Sequence, residues 1–184
     1  MISPLQGAFM SSLVQAQKPR LILELGCYIG YSALWLALGQ RNIKGAHLWT
    51  CEKDPRVAQT AINNIAASGF KDKVSVIAGP ADTVLSEWDI NSKLDLVFMD
   101  ANKSAYKRYY DIIMDRGLLH SHGQIVVDNV LFHGKVHPHE SQAIQGRSGI
   151  AAKLHEFNKY VASDTRSNQV ILPLFDGLML ISQA

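Results

Sequence analysis

Leu21-Ile-Leu-Glu-Leu-Gly-Cys-Tyr-Ile-Gly-Tyr-Ser32 is the stretch that decides the architecture. An apolar run closes on an acid and a glycine turn, and a segment read as amphipathic, Ala33–Leu38, follows. A buried parallel strand hands over in this way to a helix whose first backbone N–H groups face a ligand. The alternative is a tight strand–helix turn with nothing bound. Alone, the motif serves any nucleotide-type cofactor, nicotinamide included, so the other strand ends carry the decision.

Working outward, Pro4–Gln17 has a helical apolar pattern (Leu5, Phe9, Leu13, Ala16), with Ser3 as N-cap and Pro4 at the first helical position. Leu21–Gly26 is the first strand and Tyr31–Gly39 its helix. His47–Glu52 reads as a second strand ending in an acid, and Pro55–Ser68 as a helix closed by Gly69. Lys73–Ala78 is a third strand and Asp82–Trp88 a short helix. Leu94–Asp100 reads as an apolar run between Asp95 and its final acid, as expected for a central strand buried on both faces. Ala105–Arg116 is a helix, Gln124–Asp128 a strand, Val130–Arg147 a long loop and Ile150–Ala162 a helix with Leu154, Phe157 and Val161 on one face. Gln169–Leu174 and Leu178–Ser182 close the chain as a hairpin around Asp176-Gly177. Strands and helices alternate until that hairpin, which makes a doubly wound α/β sheet with antiparallel pairing at its end. No repeat, linker or low-complexity tract divides residues 1–184, so a single domain is expected.

Composition narrows the function. A net charge of +2 with no Lys/Arg run argues against nucleic acid as a partner. No apolar run is long enough to span a bilayer, so no membrane association is expected. Cys27 and Cys51 make no disulfide framework; without a signal peptide they suggest reduced thiols and a cytoplasmic protein. Trp35, Trp49, Trp88, Tyr109 and Tyr110 read as packing residues.

Ligands of such a fold bind at the carboxyl ends of the strands. Those ends carry Glu24 and Gly26, Glu52, Gly79, Asp100, and Asp128 with Asn129. Gly26 and Gly30 allow close backbone approach, and the amides beyond them can hold a carboxylate or phosphate. Glu52 is placed to accept hydrogen bonds from both hydroxyls of a ribose, or is simply a solvated acid before a helix. Asp100, Asp128 and Asn129 present hard oxygen ligands at adjacent strand ends, the set Mg²⁺ or a similar divalent ion prefers; the alternative is that the aspartates cap the segments after them. Lys103 is close enough to meet a group bound there, and a lysine beside a divalent cation can serve as a base. It can equally be a surface lysine opening a helix. His133, His137 and His139 lack the fourth ligand and the spacing of a zinc site, and only His133, just past Asn129, is kept as a site candidate.

These residues, in order, resemble the metal-dependent class I S-adenosylmethionine O-methyltransferases, the group of catechol and caffeoyl-CoA O-methyltransferases. The resemblance spans nearly the whole chain: Ser3-Pro-Leu-Gln-Gly7, Glu24–Ser32, Cys51-Glu-Lys-Asp54, Gly79-Pro-Ala81, Asp95–Lys103, Val127–Gly134 and Leu172–Leu178. It implies a Rossmann-like seven-stranded sheet of order 3-2-1-4-5-7-6, in a homodimer. It implies that Glu24, Gly26, Tyr28 and Ser32 line the methionine end of S-adenosylmethionine, with Ile2–Ser3 alongside. Glu52 would hold the ribose, Ala81 and Asp82 would border the adenine, and Asp100 would be shared between cofactor and metal. Asp100, Asp128 and Asn129 would bind Mg²⁺, Lys103 would be the general base, and His133 would stand in the substrate wall. The implied reaction moves a methyl group to a phenolic oxygen of a catechol or phenylpropanoid-type acceptor. Two departures are visible: Asn102 stands where the family commonly has a second acid, and the family's usual N-terminal helical arm is expected to be lacking before Ser3-Pro4. Three alternatives are weighed: a non-catalytic or weakly active cofactor-binding protein of this fold, a nicotinamide-dependent dehydrogenase, and a nucleic-acid methyltransferase, which would want a basic groove that the charge distribution does not offer.

Overall fold

A strand that is apolar apart from one acid near its start has to be covered on both faces, and Leu94–Met99 (β4) is: Leu96 and Phe98 enter one buried cluster, Val97 and Met99 the other. The computed structural model describes residues 1–136 and 149–184. Its seven strands are Leu21–Leu25 (β1), His47–Glu52 (β2), Val74–Ala78 (β3), β4, Leu119–Val127 (β5), Ser167–Leu172 (β6) and Leu178–Gln183 (β7). They lie in the order β3-β2-β1-β4-β5-β7-β6. The first five are parallel to one another, and β7 is antiparallel to both β5 and β6. Both the α/β class and the strand order match the expectation.

Helices Pro4–Gln17 (α1), Tyr31–Gly39 (α2) and Pro55–Ala67 (α3) cover one face through Met10, Val14, Leu36, Ala61 and Ile65. Helices Ala81–Glu87 (α4), Tyr106–Asp115 (α5) and Ile150–Ser163 (α6) cover the other through Leu85, Tyr110, Ile113, Leu154 and Phe157. The helix starts follow their local chemistry. Ser3 Oγ accepts from the Gln6 amide with Pro4 behind it, and Asp54 accepts from the Arg56 amide with Pro55 behind it. Among the described residues no helix is long and apolar enough to cross a membrane.

Four local expectations need correction. The buried face of α1 is Gln6, Gly7, Met10, Ser11 and Val14, while Leu5 is exposed. Gly7 lies so close to the Trp35 ring that a Cβ would stand 2.4 Å from it, so small residues, not the apolar set, choose the face. Strand β5 begins at Leu119, earlier than the apolar pattern reveals, because His120–Gly123 sits inside its pairing with β4. The hairpin turn is wider than Asp176-Gly177: Leu172 pairs with Leu178, and residues 173–177 connect them. Lys103–Ala105 forms a separate 3₁₀ turn before α5, capped by Asn102 Oδ1 accepting from the Ser104 amide. Of the loop expected over Val130–Arg147, the part after Val136, with His137 and His139, lies outside the described residues.

Candidate active site

The carboxyl ends of β1, β2, β3 and β4 open onto a cleft of about 680 Å³. That is a volume usual for small-molecule sites, which run from about 300 to 1,000 Å³. Gly26, Tyr28, Ser32, Glu52, Ala81, Asp82, Asp100 and Lys103 all line it. Its depth depends on Gly26, at φ +101°: a Cβ there would stand 2.5 Å from the Asp100 carbonyl oxygen, so the first turn lies directly on the end of β4. The Gly26 and Cys27 amides both donate to the Cys51 carbonyl, at 3.1 and 2.8 Å, which ties the turn to β2 as well.

Glu52 stands across from that turn. Its Oε2 accepts from the Tyr28 amide at 2.9 Å and its Oε1 from the Asp54 amide at 3.1 Å. A carboxylate held by two backbone amides still has lone pairs for two hydroxyls. Asp82 is ion-paired to Arg108 at 2.7 Å, and Arg108 and Tyr109 of α5 form the wall beside Ala81. The sequence pattern put Tyr109 in the core alone; it is buried and also faces the cleft.

Glu24 is placed differently from the other candidates. It is wholly buried and is not among the side chains lining the cleft. The Thr50 hydroxyl donates to its Oε2, while Oε1 has no partner. Burial pushes its carboxyl up to about 7, although the hydroxyls of Ser32 and Thr50 act in the opposite direction. Cys27 and Cys51 are buried beside it, their thiols pushed up to about 12 by the same cause, which makes them inert core residues.

Two of the three predicted oxygen ligands, Asp100 and Asp128, are neighbours at adjacent strand ends. Asp100 and Asp128 follow directly on the paired residues Met99 and Val127, and the Asp128 amide donates to the Met99 carbonyl at 3.0 Å. The Tyr106 hydroxyl bridges the Met99 and Asp128 carbonyls, clamping the two strand ends together. Asp128 is buried, and burial followed by the charge of Asp100 pushes its carboxyl up to about 6. The Gln6 amide of α1 and the Asn129 backbone N–H offset part of that rise, though Gln6 Nε2 completes no hydrogen bond. Lys103 Nζ lies 3.0 Å from Asp100 Oδ1. Two acids pressed together, one of them fully desolvated, are a donor set with an unmet demand for positive charge.

Asn129 takes the left-handed conformation, φ +62°, and its Nδ2 donates to Asp176 Oδ2 at 3.2 Å, while Oδ1 has no partner among the described residues. Asp176 also accepts from the His133 backbone N–H, and its Oδ1 lies 3.6 Å from His133 Nδ1. Sequence reasoning treated Asp176 as a turn residue and passed over Gln6 and Arg108. No spacing rule marks them, because each reaches the site from an element remote in sequence.

Family comparison agrees with this geometry. The O-methyltransferase family matches residues 1–184, and the chain belongs to it. It is 31% identical over 189 residues to the O-methyltransferase ankF of Aspergillus thermomutatus, covering 98% of this chain and 78% of that one. It is 32% identical over 188 residues to a catechol O-methyltransferase of Niastella koreensis, covering 97% and 80%. Among solved structures, the SAH-bound methyltransferase PaMTH1 of Podospora anserina superposes with a TM-score of 0.89 at 34% identity, over 100% of this chain and 80% of that one. Membership sets aside the nicotinamide dehydrogenase alternative.

Proposed function

We propose that this chain transfers a methyl group from S-adenosylmethionine to a hydroxyl of a catechol-type or phenylpropanoid-type small molecule, with a divalent cation held by Asp100, Asp128 and Asn129. The observation that carries the reading is the Asp100–Asp128 pair, with Asn129 following Asp128 in the chain and Lys103 at its edge, next to the Gly26–Glu52 cleft. Relatives named for catechol and caffeoyl-CoA support the acceptor class, and SAH- and SAM-bound neighbours support the donor. A cytoplasmic homodimer belongs to the same proposal and rests on the family resemblance alone.

The residues present fit both groups. Gly26 offers backbone where any side chain would fill the cradle, and Glu52 keeps lone pairs for a diol. The Asp128 carboxyl stays raised despite the Asn129 backbone N–H, Gln6 and Lys103, and a cation would answer that remaining demand. When bound, the donor supplies an electrophilic methyl group and the cation supplies Lewis acidity and a template for two vicinal oxygens.

The chain's own part is binding, orientation and proton transfer. Gly26, Tyr28 and Ser32 hold the methionine end, Glu52 the ribose, and Ala81, Asp82 and Tyr109 the base. Glu24 supports the floor from beneath. Lys103, as the neutral amine, would take up at Nζ the proton leaving the acceptor hydroxyl, and its 3.0 Å contact with Asp100 Oδ1 fixes where that Nζ stands. Asp176 fixes the Asn129 amide and the His133 backbone, so the substrate wall and the oxygen cluster share one anchor. Most of the rate gain would come from holding an acceptor oxygen in line with the methyl group.

A panel of catechols and hydroxycinnamoyl thioesters with labelled S-adenosylmethionine, run with Mg²⁺ and with chelator, tests the reading. Methylation is expected only with the cation. Lys103→Ala should lower kcat by about 10²–10⁴-fold, the usual weight of a general base, at little change in donor affinity. Full activity in chelator removes the metal role. Donor binding without transfer to any acceptor points instead to a non-catalytic member of the family.

A further inference from the structure

At the opposite end of the sheet, strands β4 and β5 lose register around one acid. Leu94 pairs with Leu119 and Leu96 with Gln124, so His120-Ser121-His122-Gly123 loops out opposite Asp95 alone. Gly123 lets the excursion close. A Cβ at that position would stand 2.5 Å from the Leu94 carbonyl oxygen and 3.0 Å from the His120 backbone. The fold thus spends a four-residue irregularity in an otherwise straight pairing to bring two imidazoles over one carboxylate.

The resulting geometry is that of a metal site. The rings of His120 and His122 face each other with centroids 4.0 Å apart. His122 Nε2 lies 3.2 Å from Asp95 Oδ1, and one donor atom from each of Asp95, His120 and His122 falls within 4.8 Å of the others. Ligands about 2.0–2.1 Å from a tetrahedral zinc-class ion stand about 3.3 Å from each other. One edge of the triangle already has that length, and rotation of two exposed imidazoles closes the rest. The carboxylate is oriented from behind: Asp95 Oδ2 accepts from the Arg20 and Leu21 amides at 2.8 and 2.9 Å, leaving Oδ1 toward the histidines. His120 Nδ1 lies 3.2 Å from Ser121 Oγ, which assigns its other nitrogen to a ligand. Such carboxylate and hydroxyl partners are what fix the orientation of ligating groups in metal centres.

We propose that Asp95, His120 and His122 form a second, independent site for a divalent transition-metal ion of the zinc class, at the amino end of the sheet. Two imidazoles and a carboxylate suit Zn²⁺, Co²⁺, Ni²⁺ or Cu²⁺ and not Mg²⁺, which prefers oxygen ligands. The site is therefore chemically distinct from the all-oxygen cluster at the other end. Lys18, Arg20 and Lys93 line the same depression, and Lys93 Nζ is occupied by the Gly117 carbonyl. Their charge and the exposure of both histidines make this a moderate-affinity, exchangeable site rather than a closed structural one.

The test uses full-length, tag-free protein stripped of metal and then titrated with Co²⁺ in a large excess of Mg²⁺. One equivalent of Co²⁺ is expected, with a visible spectrum of nitrogen-ligated, low-coordinate cobalt that Zn²⁺ abolishes by competition. The double variant His120→Ala/His122→Ala should lose that spectrum and bind about tenfold or more weakly, in line with the weight of residues at metal centres. Both side chains are exposed, so a native circular dichroism spectrum is expected, and Asp128→Asn should leave the Co²⁺ spectrum intact. The inference is overturned if the double variant binds Co²⁺ as the parent does, if only Asp128→Asn abolishes binding, or if the parent binds no Co²⁺ at millimolar metal. In that last case His122 and Asp95 form an ion pair and nothing more.

Discussion

Glu24→Gln separates a carboxylate that burdens the free fold from one that merely fills space. The carboxyl is fully buried and raised from 4.5 to about 7 by that burial. At about 1.36 kcal/mol for each tenfold change, ionising it inside the protein costs roughly 3 kcal/mol more than in the unfolded chain. Between pH 4.5 and 7 the native state keeps a proton that the unfolded state has released, so stability falls as pH rises across that window. The contribution of the Glu24 proton is complete below pH 4.5 and lost as pH rises through 7. The glutamine amide does not titrate. It keeps an oxygen for the Thr50 hydroxyl and sets its NH₂ where Oε1 now lacks a partner, a change in stability that is the same at every pH. Urea unfolding of both proteins at closely spaced pH values, without cofactor or divalent cation, reads the difference. Between pH 4.5 and 8 the parent should lose roughly 3 kcal/mol more than the variant, and the titration of Asp128, common to both, cancels. Parallel profiles would refute the reasoning, because they would mean that Glu24 finds the same environment folded and unfolded.

Two further outcomes are expected. Gly26→Ala forces a Cβ at φ +101° to within 2.5 Å of the Asp100 carbonyl, and should cost roughly 2 kcal/mol or more in stability by strain and overlap, together with donor affinity. An unchanged melting temperature would show that the turn is free to move off β4. Asp176→Ala frees the Asn129 amide and the His133 backbone, and should raise the cation concentration needed for half-maximal methylation by about 10- to 100-fold. An unaltered cation dependence would remove Asp176 as an anchor of the cluster.

What could be read from the sequence and what could not divides along the range of the interactions. Strand β4 announces itself because burial on both faces demands apolar residues from Leu96 to Met99, and the run stops at Asp100. The glycine turn announces itself because the backbone at Gly26 has no room for a side chain. Both are demands that a residue's immediate surroundings place on its own identity. The face of α1 was misread because contact with α2 selected Gly7, against Trp35, and Ser11, against Gly39, over Leu5, a choice made by another helix.

The same reasoning explains what was missed in the site. Asp176 holds Asn129 from a turn whose own chemistry already accounts for an Asp-Gly pair, so its second role leaves no separate trace. Gln6 approaches Asp128 from the first helix, where a glutamine reads as solvent-facing until the packing of that helix is known. His120 and His122 look like loop residues ahead of an apolar strand, and only the slipped pairing with β4 shows them gathered over Asp95. Strand-end acids were legible because the topology delivers them to one edge by rule. The residues that orient them were not, because orientation is set by contacts between elements that sequence order keeps apart.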